Sequence, residues 1–391
     1  MMCVPMRRSN ATTLQDVARE AGVAAMTVSV VLNGAKSGTR VSDATRSRIL
    51  EVATRLRYRP NAVARGLSRL KMDTIGVVSI IQGDEVNLYF LEVLNGILSA
   101  SARLGQNTTV FSISDWDEDE QKILQFCDGR VDGFIFVGPL FSAAFAETIL
   151  DYAPMVTLHS SGVMSNTYDL NVDDELGAYN AVRHLTLLGH TRIAHFSGGD
   201  RLGARRRAAG YRRALEEAGI GFDPSLVISG MYNSASGRHN ITAILDDKII
   251  DPLPTAVFCA NDAIAYGAME ELSRRGIAVP DDISVVGYDD MMTARMTNPP
   301  LTTVRQPFHQ MGERAVELLM LQIKRDTDTV ARTKAEIRFA STSHDSQAPL
   351  PAAEPDQTPH VELFDTELVV RQSAGPPPRS AKGGQAAEAS E

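Results

Sequence analysis

Cysteine is scarce in this sequence: Cys3, Cys127 and Cys259 are far apart and odd in number among 391 residues. That spacing excludes a disulfide framework and a cysteine-based metal site, and it fits a reducing, cytoplasmic setting. The eight histidines form no ligand pattern either, so no metal is expected. No apolar run reaches 18 residues, so no membrane-spanning helix is expected. Residues 1–11 lack an apolar signal core, which argues against secretion. Three enzyme signatures are also missing: a Gly-rich phosphate loop, a Gly-x-Ser-x-Gly elbow and an HExxH run. Neither an enzyme nor a cofactor is expected.

What is present is a charge asymmetry. The whole chain carries a net charge of −9, yet residues 1–71 hold 13 Lys and Arg against 4 Asp and Glu, a net of +9. The remaining 320 residues therefore carry −18. A basic head on an acidic body favours phosphate contact by the head alone, although a basic solvated surface would look the same.

The head reads as short helices. Thr13 can cap a first helix with Asp16 three residues on, and Leu14, Val17 and Ala18 form one apolar face. Gly22 stops it, a second helix runs over 25–33, and Ser42 caps a third that ends before Pro60. Val28, Val31 and Leu32 of the second helix can face a core. Ala25, Met26, Ser29, Val30 and Asn33 then fall on the opposite face. An outward face of small residues suits the DNA major groove, where Thr27, Ser29 and Asn33 can donate to phosphates.

Beyond residue 71, short β-branched runs alternate with amphipathic helices in two series of about 100 residues each. The alternation predicts βαβ units and parallel sheets, arranged as two doubly wound lobes with a ligand cleft beyond the strand ends. A helix is expected over 306–323, a polar, Pro-rich insertion over 325–358 and one last strand over 361–370. The Gly, Pro, Ala and Ser content from residue 373 predicts disorder. The expected organisation is a tail (1–12), a helix-turn-helix head (13–58), a hinge helix and linker (59–72), a two-lobed effector and dimerisation domain (73–373) and a disordered tail (374–391).

The stretch 13–23, then Thr27-Val28-Ser29, Val31-Leu32-Asn33-Gly34 and Tyr58-Arg59-Pro60-Asn61, resembles the lactose-repressor family of bacterial regulators. Val131-Asp132-Gly133, Leu188-Gly189-His190, Ala260-Asn261-Asp262 and the run 285–290 extend the resemblance into the body, as does 299–306. The resemblance implies an all-α helix-turn-helix head plus an α/β effector domain with the fold of periplasmic sugar-binding proteins. It puts Ala25, Met26 and Val30 at base-reading positions and Thr13, Thr27, Ser29, Asn33, Arg59, Asn61 and Ala64 along the DNA.

Two departures stand out, both against residues common in the family. Ala24 occupies the second helix's cap, often a Ser, and Val30 the third reading position, often an Arg. Val30 can contact a thymine methyl but cannot grip a guanine; the alternative is tolerated surface. In the resemblance, residues 61–67 form a hinge helix that pairs with its twin and wedges Leu67 into the minor groove, which implies a homodimer on operator DNA. The alternative for Leu67 is packing on the lobe below.

In the body, the resemblance makes Arg207, Asn261 and Asp289 the ligand guanidinium, amide and carboxylate, with Tyr232 packing on a ligand face. Tyr89, Phe90, His159 and Gln306 complete the expected contacts. A carboxylate accepting from adjacent hydroxyls and a forked guanidinium suit a sugar or sugar derivative. Arg201 has an offset found in the purine-sensing branch, which keeps a nucleobase open. Asp262 and Asp290 are read as caps or surface groups. Of the rival functions, a periplasmic solute receptor shares the lobes but not the head, and an enzyme would need a partner for Asp289. The reading is a cytoplasmic regulator of DNA, controlled by a small molecule.

Overall fold

The structure is a computed structural model and describes residues 12–33, 40–61, 65–66, 71–81, 87–160, 166–340 (backbone alone for 326–340) and 360–378. The chain divides into two compact units: Met1–Asp73 with Gly129–Val131, and Thr74–Asp128 with Asp132–Glu391.

The first unit is helical. Helix α1 (Leu14–Ala21) opens on a reciprocal cap, in which Asp16 N donates to Thr13 Oγ1 at 3.2 Å and Thr13 N donates to Asp16 Oδ2 at 2.9 Å. It closes at Gly22, whose φ of 62° places it in the left-handed region where a side chain would be strained. Helix α2 (Ala25–Asn33) starts without a hydroxyl or amide cap: Ala24 offers only its carbonyl, to Thr27 N and Val28 N. Helix α3 (Asp43–Arg55) is capped by Ser42, which accepts from Thr45 N at 3.2 Å. Val17, Ala18 and Ala21 of α1, Val28 of α2 and Ile49, Val52 and Ala53 of α3 make one core.

The second unit holds two six-stranded sheets. The first contains β1 (Thr74–Ile80), β2 (Asn107–Ile113), β3 (Phe134–Val137), β4 (Met155–Leu158) and β5 (Tyr168–Val172). Helices α4 (Leu88–Arg103), α5 (Glu120–Phe126) and α6 (Ala143–Leu150) connect them. The chain then enters the second lobe through α7 (Asp174–Leu187), followed by β6 (Ile193–Ser197), α8 (Leu202–Glu217), β7 (Val227–Ser229), α9 (Ser234–Leu245), β8 (Ala256–Cys259), α10 (Asp262–Arg274), β9 (Ser284–Asp289) and β10 (Thr302–Arg305). Strands β3, β4 and β8 are buried along their whole length, which is why β3 and β8 read as continuous apolar runs and β4 as one broken only by Thr157.

Helix α11 (Phe308–Ala340) returns to the first lobe, where Phe308, Met311, Ala315, Val316 and Leu319 join the core of β1, β3, β4 and β5. It lies close against α4 because Gly96 and Gly312 face the partner backbone. A Cβ on Gly96 would sit 2.0 Å from His309 O, and one on Gly312 2.3 Å from Val93 O.

The sheet orders are β11-β5-β4-β3-β1-β2 and β12-β10-β9-β8-β6-β7, with β11 at His360–Phe364 and β12 at Glu367–Val369. Every pairing is parallel except β10 with β12. Strand order reverses at β1/β3 in one lobe and β6/β8 in the other, so the carboxyl ends of these strands open the crevice that a ligand occupies in such sheets.

Three sequence expectations change here. The helix expected to end at residue 323 continues to Ala340, so the first part of the expected 325–358 insertion is helical; residues 341–358 lie outside the described residues. Its polarity hid the helix, but no Gly or Pro interrupts the chain from 313 to 348. The single strand expected over 361–370 is two strands, because the chain leaves one sheet after Phe364 and joins the other at Glu367. Ser373, where disorder was expected to begin, is fully buried. Its hydroxyl donates to Val285 O at 2.6 Å and accepts from Thr302 N at 2.8 Å, while Gly375 O meets His190 Nε2 at 2.8 Å. These bonds satisfy backbone groups beside β9 and β10, which fixes 373–378 on the second lobe; residues 379–391 lie outside the described residues.

Candidate functional site

Arg207 is buried on α8. Its Nε donates to Asp174 Oδ1 at 2.8 Å, its Nη1 donates to Ala260 O, and its Cζ lies 3.9 Å from the Tyr288 ring centroid. Burial opposes its charge, and Asp174, Tyr232, Tyr288 and Asp289 outweigh burial and hold the guanidinium protonated. Tyr232 stands 5.8 Å from the same guanidinium and presses on Gly198, where any Cβ would fall 2.1 Å from its ring. Asn261, at the end of β8, accepts from Ile264 N at 2.9 Å through Oδ1 and so caps α10. Among the described residues, no hydrogen bond engages its Nδ2.

Asp289 ends β9 with φ at 120°, and His159 follows β4 with φ at 52°. Both are non-glycine residues in a sparsely populated region, which persists only where the surroundings hold it. Gln306 Nε2 donates to Asp289 Oδ1 at 2.6 Å, Gln306 Oε1 lies 3.1 Å from His159 Nε2, and His159 Nδ1 lies 2.8 Å from Tyr89 Oη. Tyr89, His159 and Phe308 form an edge-to-face trio of rings with centroids 5.1–5.9 Å apart. Burial pushes the Asp289 carboxyl up to about 7, against Arg207 and the Gln306 amide. Burial also lowers His159, which keeps that imidazole neutral.

Seven of the eight expected ligand residues thus fall in one neighbourhood: hydrogen bonds join Tyr89, His159, Gln306 and Asp289, Arg207 lies near Tyr232 and interacts with Asp289, and Asn261 follows Ala260, whose carbonyl Arg207 holds. Phe90 does not: it is buried in the first lobe's apolar core, because Asn87 caps α4 through Phe90 N and turns that ring inward. Asp262 is no surface group. It is fully buried and accepts from Thr303 Oγ1 at 2.5 Å and Met291 N at 2.8 Å, and burial together with Asp289 pushes its carboxyl well up. Asp290 is clamped between Arg305 and Arg371, at 2.8 and 2.5 Å. Asp174 and Tyr288 escaped the sequence reading, since their contacts to Arg207 join segments 33 and 81 residues away. Among the described residues, no group of three or more His, Cys, Asp and Glu side chains could hold a metal ion.

In the head, Met26 is 67% exposed and Ala25 packs partly on the core. Thr27, Ser29, Val30 and Asn33 are half-buried, and Asn33 Nδ2 donates to Ser29 Oγ at 3.3 Å. Thr13 is exposed, but its hydroxyl donates to Asp16 Oδ2 at 2.7 Å. Arg59 and Asn61 are exposed, whereas Ala64 and Leu67 lie outside the described residues.

The head and body match two family descriptions: "Bacterial regulatory proteins, lacI family" over residues 13–61, and "Periplasmic binding protein-like domain" over residues 182–339. The transcriptional repressor PurR of Vibrio atlanticus (strain LGP32) is 35% identical over 319 residues, covering 80% of this chain and 92% of that protein. The chain belongs to the lacI family of bacterial regulatory proteins. As a lacI-family member it is a DNA-binding transcription regulator with an effector-binding domain, and not an enzyme. Among solved structures, the lac repressor dimer bound to operator and the anti-inducer ONPF is similar at a TM-score of 0.74. It is 26% identical and covers 94% of this chain and 100% of its own. The transcriptional regulator CelR in complex with cellobiose is similar at 0.64, with 28% identity and coverage of 93% and 100%. Among the described residues of this lacI-family chain, no helix is long and apolar enough to cross a membrane.

Proposed function

We propose that this regulator is a homodimeric repressor whose operator affinity is set by a sugar or sugar derivative bound between the lobes. The observation that carries the reading is two buried groups that interact electrostatically: the Arg207 guanidinium, bonded to Asp174, and the Asp289 carboxyl at the end of β9. A fixed fork and a carboxyl can engage several hydroxyls at once, and Tyr232 offers a ring face beside them. Asn261 contributes its Nδ2. The cellobiose complex of the similar CelR supports a carbohydrate. A nucleobase is the second reading. Arg201 favours it: it is exposed at the start of α8, and its charge acts on Tyr89 and Tyr232. Thermal melting of the full chain against monosaccharides, disaccharides and nucleobases separates the two. A carbohydrate that raises the melting temperature supports the first reading, and a response to nucleobases alone replaces it with the second.

In the head, α2 enters the major groove with Ala25, Met26 and Val30 towards the bases. Thr13, Thr27, Ser29, Asn33, Arg59, Asn61 and Ala64 are proposed to lie along the DNA, and residues 61–67 are the proposed hinge with Leu67 as its minor-groove wedge.

A further inference from the structure

Four of the expected ligand residues are bonded to one another. Tyr89 Oη, both ring nitrogens of His159, both ends of the Gln306 amide and Asp289 Oδ1 form a single hydrogen-bonded chain, with links of 2.8, 3.1 and 2.6 Å. Tyr89 and His159 belong to the first lobe, Asp289 to the second, and Gln306 to the segment that joins β10 to α11.

The direction of the chain follows from its last member. Above pH about 7, where Asp289 is ionised, its carboxylate only accepts, so Gln306 must turn its Nε2 towards Asp289 and its Oε1 towards His159. A carbonyl oxygen also only accepts, so His159 must carry its proton on Nε2. Its Nδ1 is then left to accept from the Tyr89 hydroxyl. Burial keeps the imidazole neutral, so it holds one proton to place and not two.

We propose that Tyr89, His159 and Gln306 are positioning residues, forming a directional relay through which the state of Asp289 in the second lobe sets the tautomer of His159 in the first. The proposal rests on the reading that Asp289 is the ligand carboxylate. A ligand that engages the outer carboxylate oxygen leaves the direction intact. One that takes Oδ1 from Gln306 frees the amide to turn over, and His159 and Tyr89 with it. The relay therefore has two discrete arrangements, which is what coupling between lobes requires.

The test needs no effector. The full chain, labelled with 15N-histidine, is examined by long-range 1H–15N correlation, with His159→Gln assigning the signals. Above pH about 7, where Asp289 is ionised, the wild-type protein is expected to show His159 as the Nε2–H form. Asp289→Asn offers Gln306 a donor as readily as an acceptor, so an Nδ1–H signal should appear. Gln306→Met, which cuts the relay without touching the carboxyl, should produce the same gain and carries the test if Asp289→Asn does not fold. An Nδ1–H form in the wild type, or an unchanged Nε2–H form in the folded variants, overturns the proposal. Either result leaves the ligand reading to its own melting screen.

Discussion

Arg207 Nε and Asp174 Oδ1 meet at 2.8 Å with both side chains at least 93% buried, so the anchor of the crevice is one half of an ion pair inside the second lobe. Breaking a buried pair by removing one partner leaves an uncompensated charge, at a cost of about 3–5 kcal/mol. Asp174→Ala should lower unfolding stability by that amount in urea titrations, and it should weaken effector binding although Asp174 itself is not proposed to touch the ligand. Unchanged stability would mean that Ala260 O and the Tyr288 ring suffice to hold the guanidinium.

The packing of α4 on α11 makes a second expectation. A methyl at Gly96 would meet the His309 carbonyl at 2.0 Å, and backbone cannot swing aside as a side chain can. Gly96→Ala should destabilise the first lobe by roughly 1–3 kcal/mol, the usual cost of overpacking. Urea titration of that variant provides the check; a neutral effect would mean that the helices separate freely.

Asp289 gives a pH dependence whose sign can be worked out. Its carboxyl is raised from 3.8 to about 7 on folding, so the folded chain holds the proton more tightly than the unfolded chain. Its contribution to stability is fully present below pH 3.8 and is lost as pH rises to about 7. Asp289→Asn should remove this part of the slope. Melting temperatures of wild type and variant across that window should therefore diverge, with the wild type losing ground as pH rises. Parallel curves would mean that Asp289 is ionised in the folded state throughout.

Val30 lies half-buried on the reading face of α2. Selection of bound sequences from a random pool should recover a two-fold symmetric site for the wild type. Val30→Arg should shift one position of each half-site towards guanine, which a guanidinium grips through two hydrogen bonds. An identical site for both proteins would make Val30 a bystander.

Local pattern carried the elements with strong period or punctuation. The Thr13–Asp16 cap, the Gly22 stop and the buried runs of β3 and β8 are each decided within a few residues of chain. Arg207, Asn261 and Asp289 were picked out as candidates because the family resemblance marks their motifs. Their partners were not, because Asp174 and Tyr288 reach Arg207 only once α7, α8 and β9 are assembled. The relay is less legible still: its links join positions 70, 147 and 17 residues apart. The helix beyond residue 323 was missed because polar and charged residues outnumber its apolar ones, although nothing in them breaks a helix.

Fluorescence anisotropy on the selected operator, with and without the ligand found by melting, tests most directly whether Asp289 links the crevice to DNA. The wild-type affinity should change when ligand is added. Asp289→Ala should bind the operator as tightly as the wild type, yet show no change with ligand. Removing the carboxyl strands the ligand's hydroxyls, a loss of about 1–3 kcal/mol. A variant that responds to ligand at the wild-type concentration would contradict the assignment and place the effector elsewhere on the molecule.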